Sequence, residues 1–408
     1  MTHLIIVGGG LTGLFASIVA ADRGAKVTTV FRGRGGLSIS HGCLDVLDRS
    51  APSRSLPLLP EQHPYQLAGK THLKDAISKF RDLMLHADYP FSGKLSKSMP
   101  ILTALGSIKR TSFAPSGITR GNLNSGGPIV LGNFNGFRDF YPQMIRKQAL
   151  KSGVKIAKVI DLPLLEPPDR RDAYSTDYAL LFEDSGWREE IIRMWRPLLP
   201  GVRRIGLPAV LGLLNHSDIH EELEGSLGIE IFEIPTLPPS VPGLRIERIL
   251  LRQAQALGAR LIEGVGVIGR IDGRSRGKRV SGVVLHSTGR TIQLDADVVL
   301  LATGGILNGG LVAQQDHRIR ESVFDLPVLH PNNRSDWVGL SLFHRQAYAS
   351  AGVRVNSHMQ PLGLDEKPMF KNLYAAGGLL AGSDRSLEGS RQGIDLATAY
   401  CAVNEALR

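Results

Sequence analysis

The chain has 408 residues, of which 42% are hydrophobic, and it carries a formal net charge of +10. This length and apolar content predict two intertwined globular domains. The two cysteines, Cys43 and Cys401, are too few for an iron–sulfur cluster held by four cysteines of this chain, and they argue against a disulfide framework. A reducing, cytoplasmic setting fits this cysteine content best.

The positive charge lies in basic blocks without interleaved aromatic residues, which argues against nucleic-acid binding. It suits small anionic substrates, acidic partners or the anionic face of a membrane. No apolar run approaches the ~20 residues that a membrane-spanning helix needs. We therefore expect any membrane association to be peripheral or through a partner, and we predict no metal site.

The amino-terminal stretch predicts a phosphate-binding βαβ unit. An apolar strand runs into Gly8-x-Gly10-x-x-Gly13, an amphipathic helix follows and ends at Gly24, and residues 26–31 form a second strand. Glycines permit the sharp turn, and the first N–H groups of the helix can bind a phosphate. The alternative is a tight glycine turn of any α/β protein, but the flanking strand and helix favour a cofactor site. The predicted cofactor contacts here are Gly8, Gly10, Leu11, Thr12 and Gly13.

The end of the second predicted strand lacks an acidic residue. In dinucleotide folds an Asp or Glu there binds the adenosine ribose, but this chain has Val30-Phe31-Arg32. Either the cofactor has no adenosine ribose, or other groups hold that ribose. The small residues that follow allow close backbone approach to a cofactor, whereas the alternative is a flexible surface loop. The predicted contacts in this loop are Arg32, Gly33, Ser38, Ser40 and Gly42.

Proline-rich sequence separates an inserted domain from the dinucleotide fold. Prolines recur from residue 52 to residue 64 and predict an extended linker, and the chain rejoins the first domain near residues 238–243. A helix at 244–257 and strands at 260–294, arranged as a β-meander, follow. We expect the dinucleotide-fold domain at residues 1–50, 239–322 and 368–408, and an inserted α+β cap or substrate domain at residues 51–238 and 323–367.

Two later strands also end in glycine turns. Residues 296–305 predict a buried parallel strand, and residues 372–380 predict another. A final helix from about residue 394 either presents its positive end to the cofactor or simply packs on the core, and the two are compatible. The predicted contacts are Thr303, Gly304, Gly305, Gly377, Gly378, Gly389 and Gly393.

Histidines and arginines recur between residues 307 and 349. Hydride removal from an alcohol requires a base, and an anionic substrate requires arginines. A lone histidine is more often a satisfied surface or core residue than a catalyst. From this region we take His330, His344 and Arg345 as the predicted catalytic residues.

The three glycine signatures resemble the flavoprotein form of the dinucleotide fold, an α/β Rossmann-type domain that binds FAD or NAD(P). Five further motifs are Arg32-Gly33, the run from Ser40 to Leu47, Gly136-Phe137-Arg138-Asp139-Phe140-Tyr141-Pro142, Leu207-Pro208-Ala209-Val210-Leu211-Gly212 and Pro239-Ser240-Val241-Pro242-Gly243. Together they resemble the B subunits of the anaerobic glycerol-3-phosphate dehydrogenases over nearly the full length. One departure is Cys43, where that family usually has serine.

This resemblance implies a flavin subunit, with FMN as the family's assigned cofactor and FAD as the alternative. It implies a larger flavoprotein subunit and a membrane-associated iron–sulfur subunit as partners, so that this chain would lie at the inner face of the membrane. Together the subunits would oxidise glycerol 3-phosphate to dihydroxyacetone phosphate and pass electrons towards quinone. The resemblance fixes no catalytic base, and this subunit could support its larger partner instead of oxidising substrate itself.

Three other functions remain open at this stage. The chain could be a stand-alone FAD oxidoreductase of the fumarate-reductase-like type. It could be a non-catalytic electron-transfer or assembly subunit. A nicotinamide dehydrogenase is a further alternative, but the missing acid at Phe31 and the later strand ends argue against it.

Overall fold

The computed structural model describes residues 1–165, 173–273, 278–341 and 344–408. The chain divides into two compact units, the first comprising residues 1–36, 53–83 and 250–408 and the second comprising residues 37–52 and 84–249. The sequence-based boundaries differ, because they assign residues 37–50 and 239–249 to the dinucleotide domain, and residues 53–83 and 323–367 to the insertion. The last of these segments belongs to the first unit because its strands pair with each other and Val353 forms a bridge with Leu380.

The strands are β1 (His3–Gly9), β2 (Lys26–Arg34), β3 (Phe91–Gly93), β4 (Met99–Leu102), β5 (Ile108–Thr111), β6 (Phe113–Pro115), β7 (Ile129–Phe134), β8 (Ile156–Leu162), β9 (Arg204–Pro208), β10 (Glu230–Ile234), β11 (Arg260–Glu263), β12 (Gly266–Asp272), β13 (Val280–Ser287), β14 (Arg290–Asp295), β15 (Val298–Leu301), β16 (Leu311–Ala313), β17 (Ile319–Glu321), β18 (Val328–Leu329), β19 (Gly352–Val353) and β20 (Leu373–Ala375). The α-helices are α1 (Leu11–Asp22), α2 (Pro52–Ser55), α3 (Pro64–Ala68), α4 (Lys70–His86), α5 (Ser116–Thr119), α6 (Pro142–Lys151), α7 (Ser175–Leu181), α8 (Ser185–Trp195), α9 (His216–Leu227), α10 (Val241–Ala256) and α11 (Arg391–Ala406). Short 3-10 turns lie between them.

A parallel sheet organises the first unit. Its strand order is β11-β2-β1-β15-β20, and β1 pairs with β2 on one side and with β15 on the other. The apolar residues of β1 and β15 are buried, as expected for strands covered on both faces. Helix α1 is buried along most of its length and packs against α11. The predicted βαβ start and the α/β fold class are confirmed.

The predicted β-meander after residue 260 is wrong for its first strand. Strand β11 joins the main sheet in parallel beside β2, and only β12, β13 and β14 form the antiparallel meander. The reason is the connection that precedes each strand. Helix α10 leads into β11 and permits a parallel crossover, whereas the two-residue turn between β13 and β14 permits only a hairpin.

The second unit contains a parallel sheet of its own, with the order β10-β9-β7-β8. Buried aromatic rings pack on it, and the ring centroids of Phe134 and Trp195 are 5.4 Å apart. The indole N–H of Trp195 donates to the carbonyl oxygen of Pro163 at 2.8 Å, so this large side chain is buried with its polar atom satisfied.

The proline-rich segment from residue 52 to residue 64 is not the extended linker that its prolines predict. Pro52 begins α2 and Pro64 begins α3, because proline fits the first position of a helix, where its missing N–H costs nothing. The predicted helices near residues 71–87 and 394–407 are confirmed as α4 and α11. Within the four described ranges, no helix combines the length and the apolar content needed to cross a bilayer.

Candidate functional site

The turn after β1 admits only glycine at two positions. Gly8 has φ +130°, and a Cβ atom on it would overlap the carbonyl oxygen of Ala302 at the end of β15. A Cβ atom on Gly13 would overlap the carbonyl oxygen of Gly8, so α1 begins in direct contact with the turn. Gly10 is the N-cap residue of α1 and places no side chain over the helix end. The first turn of α1 therefore has the form of a phosphate-binding helix start.

Phe31 fills the end of β2. Its side chain is 4% exposed, and a Cβ atom on Gly9 would lie 2.5 Å from the phenyl ring. The nearest strand-end carboxylate is one strand away: Glu263 of β11 is in register with Phe31 and accepts a hydrogen bond from Arg34 Nε at 3.0 Å. The acid of ordinary dinucleotide folds is thus replaced by an aromatic ring that packs against the glycine turn.

The predicted contacts Arg32 and Gly33 lie on an extension of β2, and both are exposed. The residue that approaches the glycine turn from this segment is Gly35, whose Cα would be 3.6 Å from a Cβ atom on Gly10. Its N–H donates to the carbonyl oxygen of Gly9 at 3.4 Å. Gly35 is one of the small residues after β2 that the sequence predicts to allow close backbone approach, although it is not in the predicted set of cofactor contacts.

The turns after β15 and β20 adjoin the turn after β1. The N–H of Ala302 donates to the carbonyl oxygen of Val7 at 2.8 Å, and that of Ala376 donates to Leu301 at 2.9 Å. A Cβ atom on Gly305 would lie 2.9 Å from the carbonyl oxygen of Gly378. The structure therefore brings together Gly8, Gly10, Leu11, Thr12, Gly13, Thr303, Gly304, Gly305, Gly377 and Gly378, all from the predicted set.

Thr303 has a polar atom that the fold does not satisfy. Its Oγ1 is buried and has no hydrogen-bond partner among the described residues. Buried hydroxyl groups nearly always have a partner, because an unmade hydrogen bond costs about 1–3 kcal/mol. A hydroxyl without a partner on this glycine turn fits a site that binds a polar group of a cofactor.

A cluster of side chains covers the turn after β20. A Cβ atom on Gly377 would overlap the Thr12 hydroxyl and would lie 2.9 Å from Asp395 Oδ1. Arg385 Nη1 donates to Asp395 Oδ1 at 2.8 Å, and its guanidinium carbon would lie 2.7 Å from a Cβ atom on Gly378. Burial raises the pKa of the Asp395 carboxyl, and the charge of Arg385 and a hydrogen bond with Thr12 oppose that rise. Sequence reasoning missed Arg385 and Asp395.

The loop before α11 is fixed by Glu388. Its carboxylate accepts hydrogen bonds from His63 Nε2 at 3.1 Å, from Ser390 Oγ at 2.9 Å and from the N–H of Asp384 at 3.0 Å. Burial would raise the pKa of Glu388, but the hydrogen bond and charge of His63 outweigh it and lower the pKa. Of the predicted contacts here, Gly389 lies in this loop with φ +58°, and Gly393 is buried in the first turn of α11.

Ser38, Ser40 and Gly42 belong to the second unit, where their loop packs on the start of α10. The N–H of Ser240 donates to the carbonyl oxygen of Ser38 at 2.7 Å. A Cβ atom on Gly42 would overlap Pro242. Two of the five motifs that we identified in the sequence therefore contact each other, and the smallness of Gly42 is needed for that contact.

A buried carboxylate lies next to the same loop. Asp45 Oδ2 accepts hydrogen bonds from His41 Nε2 at 3.0 Å and from Lys109 Nζ at 2.7 Å. Burial would raise the pKa of Asp45, but its interactions with His41 and Lys109 outweigh that effect and lower the pKa to about 2. His41 Nδ1 accepts the N–H of Cys43 at 3.1 Å, so both nitrogens of this imidazole are engaged. Burial holds the pKa of the Cys43 thiol well above its usual range, so this thiol is a small buried side chain and not a reactive thiolate.

A second ionic group is buried under the Leu207–Gly212 motif. Arg245 donates to both carboxylate oxygens of Glu233, at 2.6 and 2.9 Å, and to the carbonyl oxygen of Gly212 at 2.8 Å. His216 Nδ1 donates to the carbonyl oxygen of Leu211 at 2.8 Å. Burial lowers the pKa of His216 to about 3, and the charge of Arg245 lowers the pKa of Glu233 to about 2 against the effect of burial. These side chains are buried, and their hydrogen bonds to Leu211 and Gly212 hold the motif in place.

The predicted catalytic residues differ in their surroundings. His330 donates from Nδ1 to the carbonyl oxygen of Pro331 at 2.8 Å and packs edge-on against Trp337. In the neutral imidazole this hydrogen bond places the proton on Nδ1, so that Nε2 is the acceptor. His344 and Arg345 are exposed. Within the described ranges, no hydrogen bond joins any of the three to the glycine turns.

Comparison with known proteins identifies a matching sequence family and several similar proteins. A sequence model of the FAD binding domain family matches residues 3–391. The chain is 29% identical to the probable B subunit of the anaerobic glycerol-3-phosphate dehydrogenase of Halobacterium salinarum, covering 99% of this chain and 97% of that protein. It is 30% identical to the B subunit of the same enzyme from Pectobacterium atrosepticum, covering 99% and 98%, and 30% identical to that from Yersinia pestis, covering 99% and 97%. The matched domain supports FAD and gives no support to FMN as the primary cofactor.

Proposed function

Because the chain belongs to the FAD binding domain family and, within it, to the B-subunit family of the anaerobic glycerol-3-phosphate dehydrogenases, we propose that it oxidises sn-glycerol 3-phosphate as part of a multi-subunit enzyme. The product is dihydroxyacetone phosphate. The partners are a larger flavoprotein subunit and an iron–sulfur subunit, through which electrons pass to quinone. The chain is cytoplasmic and reaches the inner face of the membrane only through that assembly.

The observation that carries this proposal is the convergence of three glycine turns on the start of α1. Gly8, Gly305 and Gly377 let the backbones of the three turns approach each other, and the Thr303 hydroxyl has no partner among the described residues. Both features fit a bound flavin. The flavin would supply the hydride acceptor. The helix start would bind its phosphate, and the turns after β15 and β20 would hold the part of the cofactor next to that phosphate.

FAD is the cofactor that we propose. The phenyl ring of Phe31 cannot bind an adenosine ribose, so the ribose must be bound by another group. Glu263, in register on the adjacent strand, is the carboxylate nearest to that position along the sheet. FMN, which lacks the ribose, requires no such group, and the released cofactor distinguishes the two.

His330 is the proposed base. Its Nε2 has a free lone pair because Nδ1 is held by Pro331, and a base of this kind removes the hydroxyl proton while hydride leaves the carbon. His344 and Arg345 remain further predictions, with Arg345 as a group that would bind the substrate phosphate.

One purification tests the proposal. The chain is expressed alone and together with its two partner subunits, and the mass of the flavin released on denaturation is measured. Glycerol 3-phosphate is then added without oxygen, and loss of flavin absorbance near 450 nm is recorded. We expect FAD from this chain and its reduction in the complex.

The other outcomes point to the alternatives. Reduction of the flavin of the isolated chain by a donor substrate, with no need for partners, would favour a stand-alone FAD oxidoreductase. A colourless chain that binds no flavin, in a complex that remains active, would make this protein an assembly factor and overturn the proposal.

A further inference from the structure

Three elements of the first unit meet around one arginine. Thr12 comes from the first turn of α1, Asp395 comes from the beginning of α11, and Gly377 and Gly378 form the turn after β20. The Arg385 guanidinium lies over this turn, with its carbon atom 2.7 Å from the position of a Cβ atom on Gly378. Any side chain on Gly378 would displace it.

Arg385 has hydrogen-bonding capacity that the fold does not use. Within the described part of the chain, its guanidinium makes one side-chain hydrogen bond, from Nη1 to Asp395 at 2.8 Å. No described residue accepts a hydrogen bond from Nη2 or Nε, and 19% of the side chain is exposed. A guanidinium with two free donors in a fixed fork matches the geometry of a phosphate.

The Arg385 guanidinium adds its positive charge to the partial positive charge at the start of α1. The helix start contributes a partial positive charge and free N–H groups, and Thr12 of that turn is the residue that a Cβ atom on Gly377 would overlap. Asp395 balances the guanidinium charge and fixes its direction without using Nη2 or Nε. Thr303 belongs to the turn after β15, whose Gly305 lies against Gly378, and its buried hydroxyl has no partner among the described residues.

We infer that Arg385 binds the flavin phosphate next to the ribityl chain, and that Asp395 is the residue that positions it. This inference rests on the proposed function, since it assigns a ligand contact within the proposed flavin site. FMN and FAD both contain this phosphate, and riboflavin lacks it. The chemistry therefore predicts a contribution of Arg385 that depends on the phosphate and not on the ring.

The test compares three flavins on the full-length chain. Dissociation constants for riboflavin, FMN and FAD are measured by quenching of flavin fluorescence for the unmodified chain, R385Q, R385K and R260Q. We expect R385Q to weaken FMN and FAD binding about 10- to 100-fold and riboflavin binding less than threefold, because one charged hydrogen-bonded pair is lost. R385K keeps the charge and loses the fork, so its loss is intermediate. Arg260 is exposed on β11, so R260Q controls for the change in net charge.

The outcomes separate the inference from the proposed function. Equal losses for all three flavins in R385Q would mean that the arginine only holds the turn, and would overturn the inference alone. Binding of none of the three flavins by the unmodified chain would overturn the proposed function and the inference with it. Should R385Q fail to fold, R385K decides, since unchanged FMN and FAD affinities in that variant would also overturn the inference.

Discussion

The ring of Phe31 stands directly over Gly9, and a Cβ atom on Gly9 would be 2.5 Å from it. The strand end that usually offers a carboxylate to a ribose is here part of the apolar core. The phenyl ring occupies the space that a side chain at position 9 would need, so glycine is required there as long as Phe31 is present.

This complementarity predicts non-additive stability effects. We expect Phe31→Ala to cost about 3–5 kcal/mol by opening a cavity, and Gly9→Ala to cost about 1–3 kcal/mol by overpacking. In the double variant the new methyl group enters the cavity, so the combined loss should be smaller than the sum of the two by about 1 kcal/mol or more. Urea denaturation of the four proteins measures this, and simple additivity would contradict it.

Gly377 is a position at which a side chain should weaken flavin binding. Its φ is +70°, and a Cβ atom would overlap the Thr12 hydroxyl. We expect Gly377→Ala to lower flavin affinity at least tenfold. Gly24 provides the matched control, since it has φ +80° but open space around it. Gly24→Ala should cost only the backbone strain, about 1–2 kcal/mol, and should leave flavin affinity unchanged. Similar flavin titrations for the two variants would disprove this.

The buried pair of Arg245 and Glu233 predicts an asymmetric response to mutation. Glu233→Gln leaves a buried guanidinium without its counter-charge, and we expect a loss of about 3–5 kcal/mol in the free energy of unfolding. Replacing both residues, as Glu233→Leu with Arg245→Met, removes both charges and should cost much less. If the double variant is as unstable as the single one, measured by chemical denaturation, the charge imbalance is not the cause.

His216 should make stability depend on pH. Its folded pKa is about 3, against an ordinary value of 6.5, so below pH 6.5 the unfolded chain binds a proton that the folded chain excludes. Stability therefore falls as pH decreases from about 6.5 towards 3, and Glu233 adds a further loss below its ordinary pKa of 4.5, down to about 2. Between pH 6.5 and 4.5 the contribution of His216 is about 2–3 kcal/mol. His216→Gln should flatten this part of the curve, and an unchanged slope would argue against the buried neutral imidazole.

The proposed base is tested by substitution in the assembled enzyme. His330→Gln removes the free Nε2 acceptor, and we expect kcat for glycerol 3-phosphate oxidation to fall about 10²- to 10⁴-fold with little change in KM. His286, exposed on β13, is the control, and His286→Gln should retain full activity. Full activity of the His330 variant across the pH range would remove this residue from the mechanism.

The glycine turns could be predicted from the sequence because each depends on residues that are close together in the chain. Gly8, Gly10 and Gly13 follow from the spacing of one turn, and the strand before it and the helix after it are visible in the apolar pattern. The same reasoning places the ends of β15 and β20 at the same sheet edge, since parallel strands share it.

The side chains that cover the turn after β20 could not be predicted in this way. Arg385 and Asp395 meet because the loop before α11 folds back over Gly378, and that path depends on the hydrogen bonds of Glu388 with His63, a residue more than 300 positions away. The sequence pattern assigns β11 to a meander because short strands separated by turns look alike, whereas its partner β2 is distant in sequence.

The order of the central sheet has a consequence for synthesis. Strand β1 ends at Gly9, but its neighbour β15 begins only at Val298. At roughly 5–20 residues per second, a ribosome takes roughly 15–60 seconds to cover that interval. Throughout this time one edge of an apolar strand stays open on the nascent chain, and such an edge can pair with other strands until the last quarter of the chain is synthesised.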